Sequence, residues 1–276
     1  VTGRLCFWLA SRPRVDKKRK AQLNACLFVN NMQMPPQEDF QGIGNLKQQF
    51  GIDFRMIACD TCFLTSSVAA VRKHQPAPHV YWSKKLSDRR VGWVYREAYA
   101  LALSGKYLES LARFDEVIRL EPAYVHAWNQ KGLCNYFLGR YASAMHCFDK
   151  ASALDSCYVE SHNNKGCTLQ RLDEFDVAIE CFDAAESIQA GLFEISNNKA
   201  ISLIALGDFT AALTCTDRCI SAHGVNWSVY ALRSLCFLAL GEISEGLFDL
   251  RLAEKFDRGN KHVLALLDVF NRAAMS

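Results

Sequence analysis

A chain of 276 residues has the length of one or two domains, and with half its residues apolar and 22% charged it has the composition of a soluble globular protein. No apolar run approaches the roughly 18–20 residues that cross a bilayer, and the longest candidates, such as Ser234–Leu240, sit inside helical patterns. The net charge of +3 hides an asymmetry: 15 basic against 6 acidic residues up to Gly92, then 17 against 23, a basic head on a mildly acidic body that bears on partners and not on fold.

The first apolar stretch, Leu5–Ala10, lasts six residues and precedes its basic cluster, the reverse of a secretory signal. The expected location is therefore the cytoplasm. There the twelve cysteines are expected to be reduced and to pack as small apolar side chains. Residues 1–90 read as a small α/β domain: strands at Leu5–Leu9 and Cys26–Val29, a helix at Ile43–Phe50, a buried strand at Ile52–Cys59 and a helix at Ser66–Lys73. Arg12, Arg14, Lys17, Lys18, Arg19 and Lys20 form a basic run interrupted by one acid, and Lys84, Lys85, Arg89 and Arg90 form a second. Such runs offer a contact to nucleic acid or an acidic surface, with a plain solvated face as the alternative. Trp82, Trp93 and Tyr95, near the junction, are expected to pack the head against the first repeat of the body that begins at residue 91.

Cys59 and Cys62 admit three readings. With His74 and His79 they nearly match zinc-finger spacing, although Pro76 and Pro78 interrupt the helix that would present both histidines. The strand ending in ACDTC, after a helix and the turn at GID, is similar to sulfur-relay domains of DsrE type. That resemblance implies an exposed, nucleophilic Cys59. The third reading is two buried apolar cysteines at a strand end.

From residue 91 the chain repeats itself every 34 residues without insertion. Gly105, Gly139, Asp173, Gly207 and Gly241 mark the end of a first helix; Tyr107, Tyr141, Phe175, Phe209 and Ile243 come two residues later. Then come small residues at Ser110, Ala144, Ala178, Ala212 and Gly246, and usually a large one at Phe114, Phe148, Phe182, Thr216 and Leu250. Each repeat carries two apolar stripes at helical spacing, as in Leu111, Phe114, Val117 and Ile118. The glycine sits where positive φ ends a helix, and the small residues let two helices approach. A single helical hairpin cannot bury both stripes, so neighbours must stack. The segment Lys261–Met275, with Val263, Leu266, Leu267 and Phe270 on one face, reads as a final capping helix.

These marks resemble the tetratricopeptide repeat family, most closely in AWNQKGLCNYFLGRYASAMHCFDKASALDS; Pro122 supplies the closing proline of the first repeat. The implied fold class is mainly α: a solenoid of five helix-turn-helix repeats (91–124, 125–158, 159–192, 193–226 and 227–260) with a capping helix at 261–275, the whole spanning 91–276 behind the head at 1–90. The resemblance also implies that the first helix of each repeat lines a concave groove through positions 2, 5, 6, 9, 12 and 13. Those positions give Asn129, Asn163 and Asn197, then Gln130, Asn164 and Asn198, flanked by His126, Glu160 and Glu194 and by Tyr136, Phe137, Gln170 and Arg171.

A row of carboxamides offers donors and acceptors to the backbone of an extended peptide, with the aromatics as anchors and Arg171 for an acidic group. The competing reading has the asparagines bonding adjacent repeats. Lys131, Lys165, Lys199 and Arg233 recur at position 7 and read as solvated flank residues; the full set that clamps a C-terminal carboxylate in some co-chaperone members is missing. Cys147, Cys181 and Cys215 recur at position 23 and read as packing, since residues one repeat apart lie too far apart to share a zinc ion.

The array holds no phosphate-cradling glycine loop, paired-histidine metal motif or nucleophile–base pair. The expectation is a scaffold that binds a peptide or partner protein, neither an enzyme nor a cofactor carrier through its repeats. Two alternatives stay open: an adaptor to nucleic acid or ribonucleoprotein through the basic head, and a thiol- or zinc-handling head docked by the array.

Overall fold

The computed structural model describes Ile52, Phe54, residues 86–223 and residues 227–274. Its helices are α1 (Leu86–Leu103), α2 (Tyr107–Leu120), α3 (Val125–Phe137), α4 (Tyr141–Leu154), α5 (Val159–Arg171), α6 (Phe175–Ile188), α7 (Phe193–Leu206), α8 (Phe209–His223), α9 (Trp227–Leu240), α10 (Ile243–Phe256) and α11 (Lys261–Ala273). Among the described residues there is no strand.

One residue per repeat sets the turn after the odd-numbered helix. Gly105, Gly139, Gly207 and Gly241 have φ of 78°, 72°, 86° and 81°, and Asp173 has 61°. A β-carbon costs about 1–2 kcal/mol in this conformation, and aspartate is among the few side chains that adopt it as single residues. Past each of them an amide closes back onto the preceding helix: Lys106 to Leu101, Arg140 to Asn135, Glu174 to Leu169, Asp208 to Leu203 and Glu242 to Phe237, at 2.8–3.0 Å. This Schellman closure satisfies carbonyls that the helix end would otherwise leave open.

Each helix packs on the one before and the one after. Every odd helix also touches the next odd helix, from α1–α3 to α9–α11, and no even pair is in comparable contact. The odd helices therefore form the inner layer of the curve and the even ones the outer.

The packing between layers turns on one pair per repeat. In the second and third repeats a glycine, Gly132 or Gly166, faces the ring of Phe148 or Phe182; a β-carbon on either glycine would lie 2.5 Å from the ring. Both rings are fully buried, each contributing about 2–3 kcal/mol. In the fourth repeat the phenylalanine becomes Thr216 and the glycine becomes Ala200, and both stay fully buried. In the first, Ala98 and Phe114 are both fully buried, and the Ser110 hydroxyl donates to the Ala98 carbonyl at 2.8 Å. α11 closes the stack as expected: Val263, Leu266 and Phe270 are buried, and Asn260 caps it by accepting from the amides of His262 and Val263 at 3.0 and 3.3 Å.

The largest apolar cluster runs through α7–α11, and Ile52 and Phe54 belong to it. Phe54 is helical where a strand over Ile52–Cys59 is expected; a short apolar run does not by itself tell strand from buried helix. Trp93 is corrected too: it is 59% exposed, while Tyr95 buries against Phe114 and Tyr124. The other strands and helices read in the head, Trp82, the basic residues Arg12 to Lys20, and Cys59, Cys62, His74 and His79 lie outside the described residues.

Candidate functional site

The inner layer carries the side chains that the sequence singles out. Asn129 and Gln130 stand on α3, Asn163 and Asn164 on α5, Asn197 and Asn198 on α7. All five asparagines are 0% exposed. The Asn164 amide donates to the Asn129 carbonyl at 3.0 Å, and Asn198 donates to Asn163 at 3.0 Å and to the Cys167 sulfur at 3.2 Å. Position 6 of one repeat thus bonds position 5 of the repeat before. The expectation of an open row of carboxamides needs this correction: because odd helices touch each other, two of the amides staple neighbouring repeats. Gln170 adds a stitch, its amide donating to the backbone carbonyl of Asn198 at 2.6 Å and to the Ser202 hydroxyl at 2.8 Å.

The remaining candidates cluster at the same face. The His126 Nδ1 lies 3.0 Å from the Tyr158 hydroxyl, whose pKa is raised well above the ordinary value by burial and then by the nearby Glu160 carboxylate. Glu160 and Arg171 are buried on α5, and the Arg171 guanidinium donates to the Tyr141 hydroxyl at 3.4 Å. Tyr136 sits edge-on to Phe137 and to Tyr141, and Phe137 stacks on Tyr107 at 5.1 Å. Tyr136 is therefore part of the packing within the second repeat and Phe137 of that against the first, while His126, Phe137 and Glu194 keep partial exposure.

Further along, the same positions change character. Positions 9 and 12 are Leu133 and Tyr136 on α3 and Cys167 and Gln170 on α5, but Ile201 and Ile204 on α7 and Leu235 and Leu238 on α9. At these two positions a mixed set on α3 and α5 gives way to branched aliphatic side chains on α7 and α9. The signal for this stands in the sequence at fixed spacing and is missed when reading stops at the carboxamides.

A second ladder adds to the reading of position 7 as a solvated flank: each base is partly exposed and pairs with an acid on the helix before it. Lys131 pairs with Asp115 at 2.6 Å, Lys165 with Asp149 at 2.7 Å, Lys199 with Asp183, and Arg233 with Asp217 at 2.7 Å. The acids recur every 34 residues too, which makes the ladder legible once both columns are read together. Arg233 further holds both oxygens of Asp249 at 2.7 Å, and Asp249 is 1% exposed.

Cys147 and Cys215 are buried and Cys181 is partly so; burial pushes all three thiols up, that of Cys147 to about 11. Cys134 and Cys219 rise to about 11 and about 12 for the same reason, so these thiols stay protonated. Among the described residues no group of three or more histidines, cysteines or acids is placed to hold a metal ion, and no helix is long and apolar enough to cross a membrane.

Two family models, both described as tetratricopeptide repeat, match residues 95–156 and 159–191. They begin beyond the segment likened to sulfur-relay domains. No curated protein matches the sequence. Among solved structures, the type IV pilus biogenesis factor PilW superposes with a TM-score of 0.58 at 16% identity, over 67% of this chain and 90% of its own. YrrB, described as a TPR protein with an unusual peptide-binding site, gives 0.55 at 14% identity over 67% and 98%. MamA from Desulfovibrio magneticus RS-1 gives 0.56 at 13% over 62% and 97%. Repeat period, turn chemistry, two-layer packing and family match agree: the chain is a tetratricopeptide repeat protein, built on the scaffold that such repeats provide for protein interaction.

Proposed function

We propose that the inner layer from α3 to α9 binds an extended segment of a partner protein. The observation that carries this reading is the periodic inner row itself: side chains that donate and accept on α3, α5 and α7 run into branched apolar side chains on α7 and α9. Backbone amides of a bound segment suit the first part, and its apolar side chains suit the second. YrrB, a structural neighbour, is described by its peptide-binding site, which supports a peptide as ligand class. The division into a head at 1–90 and an array at 91–276 belongs to the same proposal, with α1 reaching back to Leu86.

The asparagines are poor first targets for mutation, because Asn164 and Asn198 hold repeats together. His126, Glu160 and Arg171 serve better. Peptides selected from a random library on the full chain are expected to lose about ten-fold or more in affinity with Glu160→Ala or Arg171→Ala. Unchanged affinity with His126→Ala, Glu160→Ala and Arg171→Ala alike, in chains with a wild-type circular dichroism spectrum, would contradict the groove.

A further inference from the structure

The inner helices are buried on more sides than the array itself covers. Eleven of the thirteen residues of α5 and ten of the fourteen of α7 are buried, against four of fourteen on each of the outer helices α4 and α6. An inner helix meets its own partner, the preceding outer helix and the flanking inner helices. That leaves its concave side, and the groove positions that belong there, Ile201, Ile204, Leu235 and Leu238, are all buried. Ile52 and Phe54, 5% and 0% exposed, are members of the same apolar cluster. They precede α1 by some thirty residues of chain.

We propose that the chain is its own groove ligand: Ile52 and Phe54 occupy the apolar half of the concave face, against Ile201 and Ile204 of α7 and Leu235 and Leu238 of α9. This deepens the groove reading and rests on it. The ligand class is then an aliphatic residue with an aromatic one two positions later, carried on a segment able to cross the face. The 31 residues between Phe54 and α1 span at most about 100 Å when extended, ample for the array to be reached in cis. A tethered segment acts at an effective concentration of about a millimolar, so it competes with any free ligand of similar affinity. A partner must therefore present the same pattern and displace the head, or bind the head and open the groove.

The test uses the full chain and a labelled synthetic peptide of residues 47–57, KQQFGIDFRMI. The wild-type chain is expected to bind it weakly, and the Ile52→Ala/Phe54→Ala chain about ten-fold or more tightly, because the resident ligand is gone. Equal affinity for both chains, or no binding to either, overturns the proposal. A photo-crosslinking benzophenone side chain placed at position 54 gives a readout independent of affinity. Covalent attachment within 193–206 or 227–240 is expected, and attachment elsewhere or none overturns it. The groove reading is separable: if library peptides lose affinity with Glu160→Ala or Arg171→Ala while position 54 fails to cross-link to α7 or α9, the groove stands and its occupation in cis falls.

Discussion

The second and third repeats and the fourth and fifth build the same two-layer wall from different residues. The former use glycine against phenylalanine between layers and asparagine between inner helices. The latter use Ala200 with Thr216, Ser234 with Leu250, and an apolar inner face. The difference teaches that the repeat keeps its register and its buried volume while the chemistry of the inner face is free to vary. Binding character is thus set repeat by repeat on an unchanged frame.

The sharpest break between the two halves is at position 8. Gly166→Ala places a β-carbon on the Phe182 ring, and the expected loss is about 3 kcal/mol despite the better helix propensity of alanine. The reverse change in the fourth repeat, Ala200→Gly, should cost about 1 kcal/mol. Denaturant unfolding of both chains checks this, and adding Phe182→Leu to Gly166→Ala should restore most of the loss.

The position 7 ladder separates the halves next. Arg233→Ala strands the buried Asp249 carboxylate and should cost about 3 kcal/mol. Lys165→Ala removes a pair that faces solvent, and a shift under about 0.5 kcal/mol is expected in the same unfolding measurement.

The turns and the stacking are legible in the sequence because they rest on local constraints. A left-handed turn admits few residue types, so four glycines and Asp173 at a fixed step disclose the helix ends. The asparagines are legible as a column but not in their role. Spacing places Asn164 and Asn129 on corresponding helices; that their amides meet depends on how closely the inner helices approach, which is a tertiary distance. Position 7 is legible only in part for a related reason, since its pairing shows when the aspartate column sixteen residues upstream is set beside it. The burial of Ile52 and Phe54 against α7–α11 is a contact between distant parts of the chain, and no local pattern announces it.

Alkaline titration is expected to weaken both halves. Burial holds the thiols of Cys134 and Cys147 at about 11 and that of Cys219 at about 12, against 9.0 for a free thiol. Between pH 9 and 11 the unfolded chain releases protons that the folded chain keeps, so stability falls as pH rises. The loss amounts to about 2–3 kcal/mol per thiol by pH 11. Melting temperatures tracked from about pH 7.5 to 11 should decline, and less steeply in Cys134→Ala. A smaller effect than the thiols' concerns the staple between the third and fourth repeats. Asn198→Ala withdraws the donor to Asn163 and should cost about 1.5 kcal/mol, read as an earlier unfolding midpoint.

The central claim is that the inner face, and in particular its apolar end, is where a chain segment binds. Methyl NMR of the full chain titrated with a library-selected peptide tests it most directly. Shifts are predicted at Ile201, Ile204, Leu235 and Leu238, with Leu108 on α2 and Val177 on α6, both exposed on the outer layer, unmoved. Shifts confined to the outer-layer methyls would contradict the account.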